Sequence, residues 1–199
     1  MKKTMLMVAL LLSAITAFGQ ESRQDVSISA TGTFIPEVHG STGTYTTTNP
    51  SLGALVSYRY LLTPRSGLEV NYGFTQNTPN YVVPGTLNNQ VHSRDQEISA
   101  AYVFNETFKR YNPFVEAGPG VMFYSPIHDY QSNILDTKRS TTIGGVFGGG
   151  VAYELSPSFD IRAEYRGFLG KTPNFGITDF SVNRYRVNSQ AAIGVAYHF

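Results

Sequence analysis

The segment RYRVNSQAAIGVAYHF, residues 184–199, indicates the fold most clearly. Its alternate residues fall into two sets. One set is mostly apolar and has aromatic side chains at both ends, Tyr185, Tyr197 and Phe199, whereas the other is polar or small and includes Arg186 and Gln190. Because successive side chains of a strand point to opposite faces, the stretch predicts a strand with one apolar and one polar face. An apolar face bounded by aromatic residues is typical of a strand that crosses a bilayer with one side against lipid.

The same alternation recurs in seven earlier segments. They are residues 25–35, 51–62, 67–76, 91–105, 112–124, 141–155 and 158–169. A membrane-spanning strand needs about 9–11 residues, so eight such strands fit within this chain. The pattern predicts an all-β protein, an eight-stranded antiparallel up-and-down transmembrane β-barrel, in one domain over residues 20–199.

The connections alternate in length, as an outer-membrane barrel requires. Residues 63–66, 105–111 and 156–157 are short, whereas 36–50, 77–90, 125–140 and 170–183 are long, polar and rich in Pro, Gly, Asn and Thr. Such barrels have short periplasmic turns and long extracellular loops. We therefore expect a bacterial outer-membrane location with both chain termini periplasmic.

The N-terminus reads as a secretion signal. Lys2 and Lys3 precede an apolar run that ends in the small-residue site Ala17-Phe18-Gly19, which predicts a signal peptide over residues 1–19 with cleavage before Gln20. An anchor helix is the alternative, but it would need about 20 apolar residues. The absence of cysteine excludes a lipid-anchored lipoprotein and leaves no disulfide to stabilise an exported domain.

The charge balance gives no reason to expect nucleic acid as a partner. The chain holds 15 Lys and Arg against 14 Asp and Glu, and loss of the signal peptide leaves it close to neutral. A nucleic-acid-binding domain carries a basic stripe, which this sequence lacks.

A soluble barrel of the lipocalin type is the alternative fold. It would place about a dozen Tyr and Phe side chains inside, although an eight-stranded interior has room for ordinary side chains or one small ligand. The polar face, with its many glycines, suits that narrow interior better, so the membrane barrel is favoured.

On this reading the polar face lines the lumen and carries charges of both signs. The predicted lumen charge network comprises Arg59, Glu69, Glu97, Glu116, Glu154, Arg162, Glu164, Arg166 and Arg186. Because buried charges must be paired, we expect ion pairs that close the lumen, including an Arg59–Glu69 pair across a tight turn. A gated ion path remains an open alternative, although a wide channel needs about 16–18 strands.

Signals for chemistry are weak. His39-Gly40-Ser41 and His92-Ser93 put a base beside a hydroxyl, as a lipid hydrolase would need, but no acid stands at a spacing that would orient either base. The glycine-rich run 144–150 lacks the Lys-Ser/Thr of a phosphate loop and favours close strand contact instead. No enzyme activity, metal or other cofactor is expected.

The sequence also resembles a known family, the small outer-membrane β-barrels that include the OmpA transmembrane domain and OmpX. The resemblance rests on the pattern described above, on NPFVEAGPGV at residues 112–121 and on the terminal GVAYHF. It implies that Tyr197 and Phe199 form a C-terminal assembly signal read by the barrel-assembly machinery. The chain has no Trp, so its aromatic girdles would consist of Tyr and Phe.

The resemblance further implies a scaffold whose loops carry the function. The expected role is structural or surface-interaction work in adhesion or envelope integrity, by a monomer surrounded by outer-membrane lipid, with a surface ligand on its long loops. A narrow pore for ions or small solutes is the second candidate, and a lipid-modifying outer-membrane enzyme is the third.

Overall fold

The structure, a computed structural model, describes residues 23–39, 45–82, 89–127, 137–176, 182 and 184–199. The predicted signal peptide, residues 1–19, lies outside the described residues, as do parts of the four long connections. Within the described part of the chain, no helix has the length and apolar character needed to cross a membrane.

Eight long strands close into an antiparallel barrel. They are β1 (Gln24–Phe34), β4 (Ser51–Thr63), β5 (Ser66–Asn77), β8 (Ser93–Asn105), β9 (Tyr111–Pro126), β10 (Ser140–Ser156), β11 (Phe159–Lys171) and β12 (Tyr185–His198). Around the barrel the order is β1-β12-β11-β10-β9-β8-β5-β4, and β4 closes the circle on β1. The eight-stranded up-and-down barrel predicted from the alternation is therefore confirmed.

The two ends of the barrel differ. The end that carries the short connections also carries Gln24 and Phe199, whose backbones are joined by a Phe199 N–H to Gln24 O hydrogen bond of 3.0 Å. We call it the turn end, and the opposite end, where the long connections emerge, the loop end.

A second, smaller sheet lies within the first two long connections. Its strands are β2 (Val38–His39), β3 (Tyr45–Thr48), β6 (Pro79–Val82) and β7 (Asn89–Gln90), in the order β2-β3-β6-β7. The sequence predicted only loops here, and that prediction is wrong for these residues. Strands of two to four residues are too short to show the alternation from which the long strands were recognised.

The apolar face of each long strand points outward and the polar face inward. Ile28 and Ile193, on neighbouring strands, are 65% and 62% exposed on the outer surface, and their exposure marks the face that a bilayer would cover. The inward residues of the same strands, such as Ser29 and Gln190, are buried.

Glycine on β10 lets its neighbour approach where the lumen is most crowded. Gly148 and Gly150 lie opposite Arg166 and Glu164 in the β10–β11 register. A Cβ on Gly150 would stand 2.3 Å from the backbone oxygen of Ala163, and one on Gly148 would stand 2.8 Å from the Cβ of Arg166. The glycine-rich run therefore makes room for charged side chains, as the close-contact interpretation predicts.

Candidate functional site

The turn-end half of the lumen is organised around Glu69. Arg59 lies directly across from it on β4 and donates from Nε to Glu69 Oε2 at 2.8 Å. Arg162 on β11 donates from Nη2 to both carboxylate oxygens, at 3.1 and 2.9 Å. Arg162 also pairs through Nε with Glu164 Oε2 at 2.8 Å. The Arg59–Glu69 pair predicted across the turn is thus part of a larger cluster of ion pairs.

Glu69 and Arg162 face each other across the full width of the barrel. β5 and β11 are four places apart in a circle of eight strands, which is the greatest separation the circle allows. Both side chains are almost completely buried, with 1% and 2% of their surface exposed. Their contact therefore closes the lumen at this height.

The ring of Phe114 packs against the guanidinium groups of both Arg59 and Arg162. Its ring lies 4.8 Å from the Arg59 guanidinium carbon and 4.4 Å from that of Arg162, within the range of cation–π attraction. Phe114 was missed in the sequence, although it has the same parity as Glu116, two residues on, and so belongs to the lumen face.

A second cluster lies nearer mid-height around Arg166. Its Nη2 donates to Glu97 Oε1 at 2.8 Å and to Ser99 Oγ at 3.1 Å. Its Nε lies 3.6 Å from Glu116 Oε1, a looser ion pair. Residues from β8, β9 and β11 meet here, so the ion pairs of this cluster join different strands, unlike the Arg162–Glu164 pair within β11.

Two members of the predicted charge network stand apart from these clusters. Glu154 is half-buried at the turn end and makes no ion pair among the described residues. Arg186 is buried at the loop end, where its guanidinium carbon lies 5.9 Å from the centroid of the Tyr124 ring. The structure therefore brings together seven of the nine predicted residues. The turn end has its own pair, His198 Nε2 with Asp160 Oδ2 at 2.9 Å.

An aromatic cap covers the loop end of the lumen. We use this name for the buried cluster Tyr81, Val91, Met122, Tyr124, Phe168 and Phe175. Phe175 packs edge-on against Tyr81 and Tyr124, with ring centroids 6.2 and 6.4 Å apart. The Tyr81 hydroxyl donates to Pro173 O at 2.8 Å, and its burial raises the pKa of that hydroxyl above its usual value.

The sequence carried a partial signal for the cap. Tyr124 and Phe168 are aromatic residues with lumen-face parity, which is unusual on an otherwise polar face. The contributions of Tyr81 and Phe175 had no such signal because both lie in connections.

A small polar cavity separates the cap from the charge clusters. It measures about 10 Å³ and is lined in part by Asp95, Glu97, Asn188 and Gln190, which gives room for about one water molecule. Asp95 accepts from Asn77 Nδ2 at 2.6 Å and from Ser93 Oγ at 2.7 Å. Asn188 Oδ1 and Gln190 Oε1 are buried with no protein hydrogen-bond partner, so the cavity suits water.

The described residues bear on only one of the two candidate base–hydroxyl pairs. In the His92–Ser93 pair, the Ser93 hydroxyl donates to Asp95 Oδ1 at 2.7 Å, whereas Ser41 of the other pair lies outside the described residues. In the parts of the chain that are described, there is no group of three or more His, Cys, Asp or Glu side chains that could hold a metal ion.

Comparison with known proteins identifies the type of barrel. The family described as outer membrane protein beta-barrel domain matches residues 5–199. Comparison with curated proteins gave no match.

Solved structures with the same fold are distant in sequence. The outer membrane protein OprG from Pseudomonas aeruginosa is 12% identical with a TM-score of 0.66, over 91% of this chain and 98% of that one. Neisserial surface protein A is 19% identical with a TM-score of 0.62, over 89% and 98%. The attachment invasion locus protein Ail of Yersinia pestis, in complex with a heparin analogue, is 16% identical with a TM-score of 0.57, over 90% and 100%. At these identities the likeness shows the fold alone.

Proposed function

This chain belongs to the outer membrane protein β-barrel domain family, and we propose that it is a monomeric envelope barrel with a closed lumen, whose work is structural and surface interaction at the loop end. In this proposal the termini are periplasmic and the loop end faces outward, because barrels of this kind have short periplasmic turns and long extracellular loops.

The observation that carries the proposal is the ion pair across the barrel. Glu69 and Arg162 meet from opposite walls at 2.9 Å, and the Arg166 cluster lies above them. Water-filled conduction needs a continuous path, and this buried contact, in which Arg162 Nη2 donates to both oxygens of Glu69, would have to open to provide one. The aromatic cap adds a second closure at the loop end.

The surface role falls to the small sheet and the connections around it. The β3–β6 pairing ties the first long connection to the second, so the loop end offers an ordered platform. Tyr45, Thr47 and Thr48 are only partly buried, whereas Thr46 is buried. Tyr with small polar residues suits contact with a surface ligand.

The membrane-inserted state depends on assembly, for which we propose Tyr197 and Phe199 as the signal read by the barrel-assembly machinery. Tyr197 is outward-facing, and its ring stacks on that of Phe199 with centroids 6.0 Å apart. The pair lies at the turn end, where the last strand is accessible from the periplasm in the proposed orientation.

Single-channel recording in a planar bilayer tests the closed lumen. The refolded protein is expected to insert without discrete openings, whereas a Glu69→Ala/Arg162→Ala/Arg166→Ala/Phe175→Ala variant, which lacks the crossing pair, the Arg166 contacts and the central ring of the cap, is expected to conduct. An Arg65→Gln variant, altered at an exposed ion pair at the turn end, serves as control and should stay silent. Discrete, voltage-stable openings of the unmodified protein would overturn the proposal.

A narrow pore is the second candidate, and the polar cavity lined by Asp95 and Glu97 favours it. If the unmodified barrel conducts, Arg59, Glu97 and Arg166 become the residues to test for ion selectivity. The third candidate, a lipid-modifying enzyme, is tested by mass spectrometry of lipid A from cells with and without the gene, where our proposal expects identical profiles.

A further inference from the structure

Two carboxylates and two amides face each other across the small polar cavity between the aromatic cap and the charge clusters. Asp95 and Glu97 lie two residues apart on β8, so their side chains share the lumen face, and Asn188 and Gln190 do the same on β12. β8 and β12 are four places apart in the circle of eight strands. The carboxylates therefore reach the cavity from one wall and the amides reach it from the opposite wall.

The amide oxygens at this cavity are buried acceptors that the protein leaves unused. Asn188 and Gln190 are 3% and 6% exposed, and neither Asn188 Oδ1 nor Gln190 Oε1 has a hydrogen-bond partner among the described residues. The Nδ2 of Asn188 donates to Met122 Sδ and to the Tyr124 hydroxyl, both at 3.1 Å, so the oxygen of this amide is left for the cavity. Because a buried acceptor without a partner costs free energy, the cavity requires a donor or a cation.

The two carboxylates also have acceptor capacity to spare. Asp95 accepts one hydrogen bond at each oxygen, from Asn77 Nδ2 at 2.6 Å and from Ser93 Oγ at 2.7 Å. Both donors are neutral, and Asp95 makes no ion pair among the described residues. Glu97 contacts Arg166 through Oε1. A carboxylate offers about four lone-pair sites, so both groups can still bind a cation.

The buried charges of the lumen do not balance. Among the described residues, seven carboxylates are buried against four guanidiniums: Asp25, Glu69, Asp95, Glu97, Glu116, Asp160 and Glu164 against Arg59, Arg162, Arg166 and Arg186. His198, which contacts Asp160, can offset at most one of the three surplus negative charges. Since an uncompensated buried charge is costly, the interior favours the uptake of a cation.

The type of ligand and the size of the cavity discriminate between cations. The facing groups offer oxygen, which hard cations prefer, and no imidazole or thiol is among the described residues that line the cavity. Ca²⁺ accepts about six to eight oxygens in flexible geometry, whereas Mg²⁺ requires near-octahedral geometry and usually keeps several waters. A space of about 10 Å³ has room for about one water-sized species, so a hydrated Mg²⁺ is too large.

We propose that this cavity binds one Ca²⁺ through the carboxylates of Asp95 and Glu97 and the two amide oxygens. The hydroxyls of Thr33 and Thr75, which also line the cavity, supply further oxygens. The bound ion joins β8 to β12 across the barrel and offsets two of the surplus negative charges. Calcium therefore stabilises the closed barrel from within, in addition to the ion pairs around Glu69.

Equilibrium dialysis of the full-length protein, refolded into zwitterionic detergent micelles at a series of free Ca²⁺ concentrations, tests the site. Elemental analysis should find saturable binding of about one Ca²⁺ per chain, because one cavity of this size holds one ion. The temperature of the gel-mobility shift on heating should rise with calcium, since a ligand of the folded state stabilises it. Mg²⁺ and Na⁺, at equal ionic strength, should bind at least about tenfold more weakly.

Three variants separate a specific site from general attraction by negative charge. Asp95→Asn should weaken calcium binding at least about tenfold, because calcium affinity depends on the number of charged ligands. Gln190→Met removes one oxygen ligand but leaves every charge in place, and it should also weaken binding. Asp160→Asn removes an equal buried charge at the turn end, outside the cavity, and should leave the affinity within about threefold. The gel-mobility shift on heating shows that each variant is folded.

Three results would overturn the proposal. The absence of saturable binding would leave the cavity to water alone, and equally tight binding of Na⁺ would indicate a site without preference for calcium. Equal loss of affinity in Asp160→Asn and Asp95→Asn would indicate a response to net charge only. Because dialysis in micelles involves neither conduction nor membrane orientation, its failure would leave the closed-lumen proposal untouched.

Discussion

Removing the charge of Glu69 should destabilise the barrel more than any surface charge change. Arg59 and Arg162 both contact the carboxylate of Glu69. Glu69→Gln keeps the size of the side chain but removes the negative charge that pairs with these two arginines. Breaking a buried ion pair by removing one partner costs about 3–5 kcal/mol. Because Arg162 keeps its contact with Glu164, we expect a loss of free energy of unfolding near the lower end, about 3 kcal/mol.

The assay is equilibrium unfolding in urea from lipid vesicles, followed by tyrosine fluorescence because the chain has no Trp. Arg65→Gln is the control, since the Arg65–Glu106 pair has side chains 68% and 35% exposed and such pairs contribute about 0–1 kcal/mol. If Glu69→Gln costs no more than Arg65→Gln, then the lumen is hydrated enough to screen its charges and the argument for a closed lumen is wrong.

A double-mutant cycle measures the coupling free energy between Arg59 and Glu69 apart from the effect of each single substitution. Arg59→Met in the Glu69→Gln background removes the guanidinium that has lost its partner, while Arg162 remains paired with Glu164. We expect the double variant to be more stable than the sum of the single losses predicts, by about 0.5–3 kcal/mol, as residues in direct contact are coupled. Additive losses would mean that Arg59 and Glu69 act independently.

Three further predictions concern the belt, the lumen wall and the C-terminus. Ile193→Arg should cost about 2–4 kcal/mol in vesicle unfolding if this position lies near the bilayer midplane, whereas Tyr185→Arg at the belt edge should cost about 0–1 kcal/mol; equal costs would refute the depth assignment. Gly150→Ala should destabilise the barrel by about 1–3 kcal/mol through overpacking, because its Cβ would meet Ala163 O at 2.3 Å, whereas Gly145→Ala, whose nearest contact would be 3.7 Å away, should be neutral by the same assay. Phe199→Ala should slow insertion in the presence of the barrel-assembly machinery and leave unassisted folding rates unchanged, so an equal slowing in both reactions would argue against a signal role.

The strands could be predicted because the alternation of apolar and polar side chains involves only neighbouring residues. Alternation such as Leu68, Glu69, Val70 requires only that one face meets lipid and the other a polar lumen, and both faces can be read from neighbouring residues. The Arg59–Glu69 pair was predictable for the same reason, since a tight turn fixes the register of its two strands.

The rest of the lumen depends on closure of the whole barrel. Parity places Arg162 on the lumen face, but the sequence does not say that it meets Glu69, 93 positions away in the chain. That contact depends on the strand order and stagger around the circle. The same holds for the ring of Phe114 beneath two guanidiniums, and for the cap, in which Phe175 from a connection meets Tyr124 from a wall.

The pairing of β1 with β12 has a consequence for how the molecule is made. Its ladder joins ten residue pairs, from Asp25–His198 to Phe34–Ser189. The first described strand can therefore complete its pairing only when the last strand is available. Contacts this distant in sequence slow folding because the loop must close before they form. Until then, any partial sheet would have two unpaired edges, which are templates for aggregation. Pairing of the terminal strand with β1 is thus the step that converts an aggregation-prone sheet into a structure with no edge, and a chain that lacks β12 should be degraded by periplasmic proteases.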